Sequence, residues 1–80
     1  MKYKSWILFF NKDGQNPCGS ESAHCLPLTV KNAEKRLLSK GYYIPSFAYS
    51  YIILTDYQFR LFSYKDLQEY HEKHGKVLVK

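Results

Sequence analysis

Acidic residues are scarce in this chain: 7 Asp and Glu stand against 12 Lys and Arg, a formal net charge of +5. That balance suits a phosphate backbone or an acidic protein surface, and it also keeps a small protein soluble. Cysteine is scarce too, with only Cys18 and Cys25. A secreted chain of this size commonly carries more, so reduced thiols and a cytoplasmic location are expected. Long apolar runs are missing. The longest, Trp6-Ile7-Leu8-Phe9-Phe10, falls far short of the roughly 20 residues a bilayer span needs. It is also too short for a signal peptide, and no small-residue cleavage site follows it. A glycine-rich phosphate loop is absent as well. His71-Glu72-Lys73-His74 spaces its histidines differently from the metalloprotease motif. Cys25 with a nearby histidine has no orienting group or oxyanion hole in view. A non-enzymatic protein is expected.

Apolar and aromatic residues are plentiful. Hydrophobic residues make up 45% of the 80 positions and aromatics 18%, which excludes intrinsic disorder. A chain this short is expected to form one domain over residues 1–80. Lys2 to Asn11 alternates as a strand, and its two faces are both apolar towards the end, which marks a central strand. Residues 12–27 are dense in turn formers and read as one long loop. Thr29 is a candidate N-cap for a helix with an apolar stripe of Val30, Ala33, Leu37 and Leu38, closed by Gly41. Tyr49 to Leu54 is the most strand-like run, Thr55-Asp56 a turn, and Tyr57 to Phe62 its hairpin partner. Ser63 caps a second helix with Asp66 in capping-box position, and Gly75 ends it. Val77 to Val79 forms a last short strand. The resulting order β-α-β-β-α-β predicts an α+β, ferredoxin-like sandwich: a four-stranded antiparallel sheet with two helices on one face.

That architecture leaves the other sheet face without a cover, yet the strands are apolar on both sides. Such a patch marks an interaction surface, unless the 12–27 loop or a second copy in a homodimer closes it. The candidate partner-binding residues are Trp6, Tyr49, Tyr51, Tyr57, Phe59 and Arg60. Lys2, Lys4, Lys31, Lys35, Arg36 and Lys40 are candidate nucleic-acid contacts, and lie partly on the helix side away from the sheet. Cys18, Cys25, His71 and His74 could supply four N/S ligands to a structural Zn²⁺, although the spacing within each pair is unusual for zinc. Otherwise no cofactor is expected.

Two resemblances bear on function. Trp6-Ile7-Leu8-Phe9-Phe10-Asn11 and Tyr57-Gln58-Phe59-Arg60-Leu61-Phe62 resemble the two motifs of RNA-recognition-motif domains. That likeness implies stacking of single-stranded RNA or DNA bases on sheet aromatics. In brevity, richness in Lys, Tyr and Phe, and little Ala, the chain resembles small phage and mobile-element anti-defence proteins such as anti-CRISPR inhibitors. This second likeness implies a phage protein that occupies a surface of a host nuclease or ribonucleoprotein in the host cytoplasm. No membrane partner is expected.

Overall fold

A computed structural model describes residues 4–17, 19 and 21–78. Strand β1 (Ser5–Phe10) turns back through an irregular connection into β2 (Ala23–Leu26). Helix α1 (Val30–Leu37) follows, then β3 (Ser50–Thr55), α2 (Asp56–Leu61), α3 (Tyr64–His74) and β4 (Lys76–Val77). The four strands form one antiparallel sheet in the order β2-β1-β3-β4. The fold is therefore α+β with a four-stranded antiparallel sheet, as expected. Its element order, β-β-α-β-α-α-β, departs from the ferredoxin-like order expected.

Two differences account for that departure. Ala23–Leu26 lies inside the stretch read as loop; it is short, and His24 interrupts its apolar pattern, so it has little strand signature of its own. Its pairing comes from β1, through the register Ser5↔Leu26 to Leu8↔Ala23. The connection before it is pinned by Asn16, which is 8% exposed and donates through Nδ2 to the Phe9 carbonyl at 2.6 Å. The second difference is larger. Residues 57–62, read as a strand, lie mostly in helix α2. Thr55 is its N-cap, and the Thr55 hydroxyl accepts from the Gln58 amide at 3.1 Å while Gln58 Oε1 accepts from the Thr55 amide at 3.0 Å. This reciprocal pair satisfies two donors that a helix start would otherwise leave open. Asp56 and Arg60 add an i,i+4 ion pair at 2.9 Å.

The helices consequently cover both sides of the sheet, not one. On one face, Ile7, Phe9, Tyr51 and Ile53 pack with Ala33 and Leu37 of α1. On the other, Leu8, Phe10, Ile52 and Leu54 pack with Phe59, Phe62, Leu67 and Tyr70 from the α2–α3 segment. Doubly apolar strands are what a three-layer arrangement requires. The expected uncovered face is closed by α2 and α3, and neither the 12–27 loop nor a second copy is needed to close it.

The caps foreseen for the other helices are present. The Thr29 hydroxyl accepts from the Asn32 amide at 3.3 Å, and Ser63 and Asp66 form a complete capping box. Leu38 departs from the expected stripe: α1 ends at Leu37, and Leu38, at the C-cap, is 63% exposed. Gly41, expected to close α1, instead lies three residues beyond the Leu38 C-cap, in the turn that follows, with a φ of +94° that favours glycine. Gly75 is held for another reason, since a Cβ there would stand 2.5 Å from the His71 ring. Val79, in the expected last strand, lies outside the described residues.

Candidate binding surface

At one end of the sheet three chain segments meet. Lys4 leads into β1 and accepts, through its carbonyl, from the Asp56 amide at 3.1 Å. Thr29 opens α1 beside it, and Thr55 opens α2. Between them runs an open groove of about 520 Å³ lined by Lys4, Ser5, Thr29, Val30, Lys31, Thr55, Asp56 and Tyr57. Lys4 and Lys31 are exposed, and Tyr57 is 73% exposed. An acid also lines this groove, yet its charge is already engaged. Asp56 accepts from the Trp6 indole N–H at 2.8 Å and pairs with Arg60 at 2.9 Å. The indole bond foremost, with help from the Arg60 and Lys4 charges, holds its carboxyl below the usual carboxylate range. The groove thus offers two cations and a phenol ring, in an arrangement that suits an anionic partner.

The other expected contact residues are dispersed or internal. Tyr51 is 4% exposed; its hydroxyl donates to Glu34 at 2.9 Å, and burial together with that carboxylate pushes its pKa up to about 12. Trp6 and Phe59 are half-buried and stack on one another, with centroids 4.0 Å apart and planes 9° apart. These three rings are therefore not displayed for bases to stack on, while Tyr57 is. The reason is again α2, which places Phe59 under the sheet instead of in it. Arg60 is exposed but paired with Asp56, and Tyr49 is exposed on its own segment before β3. Lys35, Arg36 and Lys40 are exposed along and just beyond α1 and do not line the groove. Lys2 lies outside the described residues.

Of the candidate zinc ligands, Cys25, His71 and His74 are not brought together. Cys18 lies outside the described residues, and Cys25 is exposed on β2. Among the described residues no three His, Cys, Asp or Glu side chains are grouped closely enough to hold a metal ion. His71 has a different task. Its ring stacks on Phe10 at 3.9 Å and 10°, and its Nε2 meets the Ser50 hydroxyl at 2.7 Å. That spacing suits a nucleophile and its base. Ser50 is 5% exposed, and the bond ties α3 to the start of β3. His74 lies against Tyr70, with ring centroids 4.6 Å apart.

Burial lowers His24 and His71 below the ordinary imidazole value of 6.5, with Glu21 and Glu72 respectively pulling weakly upwards. The folded chain therefore prefers both rings neutral. Their contribution to stability is complete above the unfolded value near 6.5 and is lost as pH falls through the lower folded values. Urea unfolding at about pH 5 is expected to show lower stability than at about pH 7.5, and His71→Gln is expected to flatten the difference. An unchanged pH slope in that variant contradicts the role given to His71.

Sequence reasoning named Lys4, Lys31 and Tyr57 but did not place them together. It missed Thr29 and Thr55 as groove walls. The available signal was Thr55 with Gln58 three positions on, which is a capping-box spacing. No helix among the described residues is long and apolar enough to cross a membrane. In comparisons with known proteins, no family model, curated protein or solved structure matches this chain.

Proposed function

We propose that the protein is a non-enzymatic binding module that works by occupying an acidic surface of a partner protein. The partner class is a host nuclease or ribonucleoprotein in the cytoplasm, met in the manner of the small phage inhibitors the composition resembles. The observation that supports this reading is the groove at the sheet end: two exposed lysines and a largely exposed tyrosine line it together, and the nearby acid is paired with Arg60. A scaffold packed on both sheet faces fixes the backbone positions from which those side chains project, so little backbone entropy is lost on docking.

A second reading rests on the same groove. A phenol ring and two lysines in one groove also suit a base and its flanking phosphates, so single-stranded RNA or DNA is the competing occupant.

Capture from native host extract separates the two. Lys4→Glu/Lys31→Glu and Lys35→Glu/Lys40→Glu lower the net charge by the same amount, so a difference between them isolates the groove from general steering. The first pair is expected to reduce retention of the captured partner about tenfold or more, the second only slightly. Retention that survives nuclease treatment supports a protein partner. Retention that vanishes with nuclease and falls steeply with salt favours nucleic acid. Equal losses in the two double variants contradict the groove.

A further inference from the structure

The outer edge of β3 is only partly paired. Along its inner edge all six residues pair with β1, from Ser50↔Phe10 to Thr55↔Ser5. Along its outer edge β4 pairs with Ser50 and Tyr51 alone. Two bonds fix which residues face outwards. The Asp56 amide donates towards β1, to Lys4, and the Tyr49 carbonyl accepts from the Leu78 amide on the β4 side. Antiparallel pairing alternates, so Tyr51, Ile53 and Thr55 direct their backbone groups to the outer edge. The Thr55 amide is used by Gln58. The Thr55 carbonyl, at the N-cap, accepts the first bond of α2. That leaves the N–H and C=O of Ile53 along an edge on which the described residues place no strand. Ile53 is 9% exposed, against 2% and 0% for Ile52 and Leu54, in keeping with its turn towards the edge.

Two cavities line this same edge. A cleft of about 200 Å³ is walled by Val30 and Glu34 of α1, Ile52 and Ile53 of β3, Tyr70 of α3, and Lys76. The lysine groove takes over at Thr55 and Tyr57. Val30 lines both, so the cleft at the β3 edge and the groove at the sheet end adjoin at the first turn of α1 and together make a trough.

We propose that this trough receives an extended acidic segment of the partner, which adds to the sheet as a strand beside Ile53. The proposal rests on the docking reading above and names its mode. An unpaired ladder edge is matched by a peptide backbone, which offers alternating donors and acceptors at the same spacing. The cleft between Val30 and Tyr70 takes one apolar side chain of that strand. Lys4 and Lys31 at the groove end select for acids in the segment, while Lys76 at the other end is paired to Glu34. The chain's own β4 does not serve, because it sets Lys76 against Tyr51 and Val77 against Ser50 and so runs away from Ile53. A second copy carries the same positive charge into a lysine-flanked trough, and is disfavoured for that reason.

The test is amide exchange on the full chain by NMR, with an acetylated, amidated hexapeptide of alternating Val and Glu as probe. The Ile53 amide is expected to slow its exchange at least about tenfold at roughly millimolar peptide. The same peptide N-methylated at alternate backbone nitrogens keeps its charge and loses its strand donors, and it is expected to give no protection. Lys4→Glu/Lys31→Glu is expected to weaken the unmethylated peptide without unfolding the chain, since both side chains are exposed. Failure to protect Ile53, or equal binding of the methylated peptide, overturns strand addition. So does protection by an oligo(dT) strand in place of the peptide, or protection that grows with protein concentration alone. Should capture depend on Lys4 and Lys31 while Ile53 stays unprotected in the captured complex, docking stands and strand addition falls.

Discussion

Phe10→Ala is expected to cost about 3–5 kcal/mol of folding stability, the usual loss for a fully buried phenylalanine. Phe10 has no exposed surface, stacks on His71 and belongs to the cluster under α2 and α3. An 80-residue domain has roughly 4–12 kcal/mol in total at the usual 0.05–0.15 kcal/mol per residue. The variant should therefore be unfolded or close to it. Urea titration followed by far-ultraviolet circular dichroism measures the change. Leu61→Ala, at a side chain 62% exposed, serves as the comparison and is expected to stay within about 0.5 kcal/mol of the parent. A cost below about 1 kcal/mol at Phe10 contradicts the burial described here.

Phe9→Ala is expected to cost a similar amount, about 3–5 kcal/mol, although its side chain points the opposite way. Phe9 is also fully buried, against Ala33 and Leu37 of α1, and its ring meets His24 edge-on at 5.0 Å. Adjacent strand residues face opposite sides of a sheet. In a two-layer fold one of these neighbours would face solvent and cost little to remove. Comparable losses at both positions mean that both faces are core, and the pair is informative because it needs no assumption about the partner. The same titration applies, with His24 kept neutral by working near pH 7.5, above its lowered value. A large asymmetry between the two variants contradicts the three-layer arrangement.

Much of the fold is legible in the chain. The β1 pattern, the Thr29 and Ser63 caps and the β3 run are local signals, and each appears where its residues place it. Residues 57–62 show why the rest was hidden. Tyr57, Phe59 and Leu61 alternate with Gln58 and Arg60, and aromatics favour strands, so period-two reasoning selects a hairpin. The helix is instead set by Thr55 with Gln58, by the Asp56–Arg60 pair, and by the bare sheet face that Phe59 and Phe62 can cover. Tertiary burial outweighed local pattern there. Ala23–Leu26 was hidden for the opposite reason: it becomes a strand because β1 offers it an edge.

The candidate site was legible as residue types and not as a place. Lys4, Lys31 and Tyr57 are separated by long stretches of chain, and only the convergence of β1, α1 and α2 at one sheet end joins them. The expectation of aromatic stacking on the sheet failed with the hairpin, because α2 turns Phe59 onto Trp6 and so takes both rings out of use. Surface binding remains the favoured activity, moved from the sheet's face to its end and its open edge.

The α2–α3 segment closes the sheet face holding Trp6, Leu8 and Phe10. Proton NMR is expected to show cross-peaks between the Trp6 indole and the Phe59 ring and between Phe10 and His71, with i,i+3 helical contacts through residues 56–61. Cross-strand contacts between residues 51–54 and 57–62, with the Trp6 and Phe59 rings apart, would contradict that closure.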